Sequence, residues 1–94
     1  MPRRARVVER GLLRKGFIRT DTHHRRFHYF GVDGTETKVS TYMSQGADRD
    51  ISDRLLAEMA RQLHLTRRQF DQLIDRSLFQ TDYEAMLRRG GFIR

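Results

Sequence analysis

The spacing of apolar residues at the start of the chain follows a helical period. Val8 and Leu12 lie four positions apart and share one side of a helix, which we predict over residues 5–15 with Gly16 at its end. Gly11 lies on the same side, although glycine costs a helix about 1 kcal/mol relative to alanine. We therefore expect Gly11 to mark a close approach between this helix and a sheet.

An extended stretch and a hairpin follow the helix. Residues 17–20 and two runs rich in β-branched and aromatic residues, 26–32 and 35–43, predict three strands of an antiparallel meander. Asp33-Gly34 separates the last two runs and favours a two-residue type I′ turn, because both central residues of that turn need positive φ. This turn would pair Val32 with Thr35, Phe30 with Thr37, His28 with Val39, and Arg26 with Thr41.

The predicted register places aromatic and polar residues on one face of the hairpin: Phe27, Tyr29, Lys38, Ser40 and Tyr42. The rings and the lysine could stack unpaired bases, as sheet-surface modules do. The opposite face is at least as apolar, so the same rings could instead form the core beneath the helices. The pattern favours the core.

Beyond residue 50 the apolar period becomes helical. Asp50 is predicted as an N-cap, and apolar residues then repeat every four positions at Ile51, Leu55, Met59 and Leu63. Capping boxes, in which side chains bond the free backbone N–H groups of a helix start, are predicted at 66–69 and 81–84. Gly90-Gly91 would end the last helix.

These elements predict an α+β fold in a single domain over residues 1–94, since 94 residues leave no room for a second core. An N-terminal helix and a three-stranded antiparallel meander would occupy residues 5–45. Two to three short helices would occupy residues 50–90.

The charge of the chain is unevenly distributed. Residues 1–44 carry ten Lys and Arg against four Asp and Glu, a balance of +6, whereas residues 45–94 carry nine against eight, a balance of +1. A one-sided basic surface attracts polyanions such as nucleic acids. The chain has no cysteine and no apolar run long enough to span a membrane, so we expect a cytoplasmic protein without disulfides.

Three of the four histidines lie close together, flanked by arginines: His23, His24, Arg25, Arg26 and His28. Histidine can take and give a proton near neutral pH, and RNA carries its own nucleophile in the 2′-hydroxyl. The cluster could therefore support RNA cleavage, or it could be a basic polar loop without catalytic function. Its spacing does not match that of a zinc site, so we predict neither a metal nor another cofactor.

Residues 56–75 offer a different use for the second half of the chain. A helix, a tight turn and a capped second helix with Arg67 and Arg68 at its start are typical of a helix-turn-helix. Ala60 lies where this motif requires a small residue, but His64 lies where the motif usually has a glycine in its turn. A DNA-binding motif and a helix pair that binds a protein partner both fit this pattern.

The order of these parts resembles the HicA-like toxins. The resemblance rests on a helix ending in Lys15-Gly16-Phe17, a short strand, a His-His pair, the Asp33-Gly34 hairpin, and Thr41 and Ser44 before a helix. It covers about residues 5–60 and implies a fold like that of double-stranded-RNA-binding domains, with αβββα order and extra C-terminal helices here. The family cleaves or blocks mRNA, usually with an antitoxin as partner.

The resemblance also implies roles for individual residues. The histidine of the family signature corresponds to His23, with His24 next in line, although Asp21-Thr22 replaces the Gly-Ser of that signature. A protein of this kind would bind RNA and cleave it without metal, with His23 and His24 as catalytic residues. The remaining candidates would hold RNA: Lys15, Arg19, Arg25, Arg26, His28 and Lys38.

Overall fold

A computed structural model describes residues 1–21, 23–43 and 49–94. The described elements, in chain order, are β1 (Arg3–Arg4), α1 (Ala5–Arg14), β2 (Phe17–Asp21), β3 (Arg25–Phe30), β4 (Glu36–Met43), β5 (Asp50–Ile51), α2 (Asp53–Gln62), α3 (Arg67–Ile74) and α4 (Gln80–Arg89). The predicted α+β fold is confirmed: an N-terminal helix precedes a three-stranded antiparallel sheet, and three short helices follow.

The central sheet has the order β2-β3-β4 and packs one face against the helices. Phe17, Phe27 and Tyr29 point from this face into a single hydrophobic core that also contains Leu12 of α1 and Tyr83 of α4. Of the two uses considered for the hairpin aromatics, Phe27 and Tyr29 thus belong to the core. None of the described helices covers the other face of the sheet, where the side chains are exposed or half-buried.

The predicted hairpin register is wrong by one residue. Gly31 N donates to Thr35 O at 2.9 Å and Gly34 N donates to Gly31 O at 2.8 Å, so the loop has three residues rather than two. Gly34 has positive φ (+84°) but Asp33 does not, and a type I′ turn requires both. Phe30 therefore pairs with residue 36, and an irregularity in β4 shifts the later pairs so that His28 lies opposite residue 40.

Two predicted helix starts also differ in the structure. Asp50 pairs with Arg4 in the short β1–β5 ladder, and Ser52 caps α2 instead by accepting from Leu55 N at 3.3 Å. Helix α4 begins one residue before Thr81, with no side-chain cap, so the second capping box is absent. The box at Thr66 is confirmed, with both of its reciprocal hydrogen bonds formed.

Gly11 marks a close approach, but to a helix rather than to the sheet. A Cβ atom at Gly11 would lie 2.8 Å from both the Cα and the carbonyl oxygen of Ile74 in α3. The missing side chain thus lets α1 and α3 pack nearly backbone to backbone.

Glu84 fixes α4 to the hairpin. One of its carboxylate oxygens accepts from the Tyr29 hydroxyl at 2.7 Å and from Val32 N at 2.8 Å. The hydrogen bond from Tyr29 is the largest of the effects that lower the pKa of Glu84. Burial, followed by the bond to Glu84, raises the pKa of the Tyr29 hydroxyl.

The Glu84 carboxylate should make the free energy of unfolding depend on pH in the acid range. Because its folded pKa is lowered, its contribution is fully present above its unfolded pKa of about 4.3 and is lost as the pH falls through the folded value. We expect Glu84→Gln to lower the free energy of unfolding at pH 7 by about 1–3 kcal/mol and to flatten its decline between about pH 5 and 3. Urea unfolding at several pH values measures both. An exposed control, Glu36→Gln, should leave the curve nearly unchanged, and parallel curves for Glu84→Gln and the wild type would contradict this role.

Candidate nucleic-acid interface

The uncovered face of the sheet carries two rows of residues that cross all three strands. Because of the observed register, each row contains one residue from each of β2, β3 and β4. All six side chains are exposed or half-buried. We call this surface the open sheet face; its rows are Ile18, His28 and Ser40, and Thr20, Arg26 and Tyr42.

Tyr42, on the edge strand β4, is the aromatic residue of this face. Its side chain is 43% exposed, and the guanidinium carbon of Arg26 lies 5.6 Å from the ring centroid. The His24 ring approaches from the bend between β2 and β3, with 5.1 Å between ring centroids. An exposed aromatic ring with a cation and an imidazole beside it is a suitable platform for stacking an unpaired base.

His28 lies on the same face, one row away. Its Nε2 atom is 3.2 Å from the Thr20 hydroxyl, which fixes the orientation of the imidazole ring. His23 is exposed in the bend before β3, and no hydrogen bond or ring contact to another described residue orients its ring. Thr22, in the stretch matched to the family signature, lies outside the described residues, as does Ser44.

Arg19 and Arg25 point to the other side of the sheet, toward α1. Glu9 bridges them, with Oε2 2.6 Å from Arg19 and Oε1 2.9 Å from Arg25. Arg19 also pairs with Asp21 at 2.7 Å, and this bond, followed by the one to Glu9, raises its pKa. The Nε–H of Arg25 is buried without a protein partner among the described residues. Both guanidinium groups are thus engaged in an internal ion-pair network away from the open sheet face.

Lys15 is buried and bonded to backbone carbonyls. Its ammonium group donates to Leu73 O at 2.6 Å and to Leu78 O at 2.7 Å. A cation at the C-terminal end of α3 also complements the helix dipole. Burial lowers the pKa of Lys15, yet these two bonds give its charge a structural function and leave it no route to a phosphate.

Replacement of Lys15 should therefore affect folding and not RNA binding. We expect Lys15→Met to lower the free energy of unfolding by about 2 kcal/mol, since two carbonyls lose their donor. Affinity for RNA should stay within about twofold. Chemical denaturation and fluorescence anisotropy measure the two effects, with the exposed Lys38→Met as control for stability. Unchanged stability together with weaker RNA binding would contradict this structural role and would indicate that Lys15 binds phosphate.

Lys38 lies two residues before Ser40 on β4, outside the two rows of the open sheet face. It is exposed in the irregular part of β4 and lines a groove with Arg88 of α4 and the C-terminal residues. Of the candidate site residues, the structure thus brings together His24, Arg26 and His28. Sequence reasoning did not find Ile18 and Thr20, which the pairing of β2 with β3 places beside His28 and Arg26.

The α2–α3 segment folds as a helix pair with a tight turn. Ala60, Leu63 and Phe70 are buried between the helices, and His64 has a φ of +64° at the position where a glycine is usual. The His64 ring stacks on Phe92 with 3.6 Å between centroids, and burial lowers the pKa of His64. This packing is common to helix-turn-helix motifs and to other helix pairs.

The outward charges of α3 are largely paired within the protein. Arg67 lies 3.1 Å from Asp53 and 3.2 Å from Asp71. Arg3 of β1 pairs with Asp71 at 3.3 Å and also with Asp75. The helix that would enter a DNA groove thus presents a charge-balanced surface, unlike the basic footprint expected of a DNA reader.

Comparison of the chain with protein-family models, with curated proteins and with solved structures finds no match. Among the described helices, none combines the length and the apolar character needed to cross a membrane.

Proposed function

We propose that this protein is a cytoplasmic RNA-binding protein that holds single-stranded RNA on the open sheet face. The observation that carries the proposal is the grouping of Tyr42, His24 and Arg26 on a sheet face that no described helix covers. Every base has a face that can stack on Tyr42, while Arg26 can meet a phosphate or a base carbonyl. A duplex hides its base faces, so single strands suit this surface better.

Cleavage of the bound strand is the second part of the proposal, in line with the resemblance to HicA-like toxins. One histidine would take the proton of a 2′-hydroxyl, whose oxygen then attacks the adjacent phosphorus. The bond from phosphorus to the 5′ oxygen breaks, and a second histidine protonates that oxygen, leaving a 2′,3′-cyclic phosphate. His23 and His24 are the proposed catalytic pair, with His28 on the same face and Arg26 near the phosphate.

Removal of the Tyr42 ring should weaken RNA binding. Base–aromatic stacking contributes about 1–3 kcal/mol, so we expect Tyr42→Ala to raise the Kd for a ten-nucleotide single strand about tenfold. Fluorescence anisotropy with a 2′-O-methyl RNA, which cannot undergo the cleavage step, isolates binding. Phe79→Ala removes another exposed aromatic ring, outside the sheet, and should leave the Kd unchanged. Equal effects of the two changes would contradict the proposal.

Duplex DNA binding through α3 is the second candidate, favoured by the helix-pair geometry of α2 and α3. Arg68, exposed near the start of α3, would then contact the DNA. In that case duplex DNA would displace RNA in competition, and Arg68→Ala would weaken binding more than Tyr42→Ala. An antitoxin or another protein partner, as the resemblance implies, would fit the nearly neutral helical half.

A further inference from the structure

A cavity opens beside the open sheet face, between the edge strand β4 and α2. Its volume is about 120 Å³. Among the described residues, Met43, Ile51 and Met59 form its apolar floor, and the exposed Leu55 forms one wall. Tyr42 lines it too, so the cavity and the open sheet face share a residue.

The size of the cavity suits one aromatic ring. A dry engineered cavity of about 150 Å³ lined by apolar side chains binds benzene. A pyrimidine ring could therefore enter the cavity while its polar edge stays at the rim. A purine has a second fused ring, so a cavity of this size favours the smaller pyrimidine.

The rim carries the hydrogen-bonding groups that a pyrimidine edge needs. The Gln62 carbonyl oxygen accepts from the Thr41 hydroxyl at 2.6 Å, which leaves its amide N–H groups as donors. Glu58 is bonded by Arg61, and this contact lowers the pKa of Glu58, so the carboxylate remains an acceptor. Uracil and cytosine each offer both an acceptor and an N–H donor on their Watson–Crick edges.

We infer that this cavity receives a pyrimidine base of the RNA strand held on the open sheet face. The inference rests on the proposed function, and it adds a preference for pyrimidines over purines. Two consecutive bases of the strand would then occupy adjacent subsites, one stacked on Tyr42 and the next in the cavity. Arg49 at the rim provides a cation for the connecting phosphate.

The test compares the binding of three 2′-O-methyl decamers, U10, C10 and A10, by fluorescence anisotropy. We expect U10 or C10 to bind the wild type about tenfold more tightly than A10. Leu55→Trp fills the cavity from an exposed position, and this preference should fall to within twofold. Leu13→Trp, an equally large change at an exposed leucine of α1, should preserve it. Self-stacking of A10 is the same with every variant, so it cannot produce the difference between them.

The outcomes distinguish failure of the pyrimidine inference from failure of the proposed function. Equal binding of all three decamers by the wild type would overturn the cavity inference and leave RNA binding intact. A preference that survives in Leu55→Trp would overturn it as well. Failure to bind any decamer would overturn both. Thermal unfolding of each variant confirms that it is folded.

Discussion

Replacing Gly11 with valine is expected to lower the free energy of unfolding by about 3 kcal/mol. The new Cβ would lie 2.8 Å from the Cα and the carbonyl oxygen of Ile74, and 2.9 Å from its Cγ2. Because two of these three atoms are backbone, rotation of a side chain cannot relieve the overlap. Helices α1 and α3 would have to move apart, and the core between them would lose contacts.

Urea unfolding followed by circular dichroism measures this effect. Arg10→Val introduces the same β-branched residue at an exposed position of the same helix, so it controls for helix propensity. We expect Arg10→Val to change stability by less than about 0.5–1 kcal/mol. Equal stabilities of the two variants would mean that α1 and α3 do not pack as closely as described.

Loss of an essential histidine is expected to slow RNA cleavage by at least about 100-fold, the usual contribution of a general acid or base. The assay measures the initial rate of cleavage of single-stranded RNA in EDTA, since the proposed chemistry needs no metal. His23→Ala and His24→Ala should each lose this activity. His23→Ala should still bind a 2′-O-methyl strand with the wild-type Kd, whereas His24→Ala also removes a ring beside Tyr42 and should bind it more weakly. Retained binding separates loss of chemistry from loss of the fold.

His64→Asn is the matched control for cleavage. His64 lies in the α2–α3 turn with positive φ, a conformation that asparagine tolerates. We expect this variant to cleave at the wild-type rate. If the wild-type protein binds RNA in EDTA and leaves it uncut, the nuclease proposal fails and the binding proposal stands.

The parts of the fold governed by local signals could be predicted from the sequence. Helix α1 follows from the spacing of Val8 and Leu12, and the α3 start follows from the Thr66 capping box, because neighbouring residues make both sets of contacts. The turn at Gly34 was also located correctly. Its type was not, because Asp-Gly fits both a two-residue loop and a type I turn followed by glycine.

The site depends on contacts that local patterns do not contain. A register shift of one residue moves each side chain of a strand to the other face, so the predicted register placed Arg26 and Tyr42 on opposite faces. Asp50 is not the N-cap of α2, as predicted, because it pairs with Arg4, which is far away in the chain. Lys15 was predicted to bind phosphate because a local pattern does not show its carbonyl partners, which lie 58 and 63 residues away in the chain.

The most direct test of RNA binding on the open sheet face is a titration of ¹⁵N-labelled protein with a ten-nucleotide 2′-O-methyl RNA, followed by NMR. We predict that the largest chemical-shift changes cluster on the open sheet face and the adjoining bend, at Thr20, His24, Arg26, His28 and Tyr42. Changes concentrated instead on α3, or no changes at all, would contradict the proposed interface.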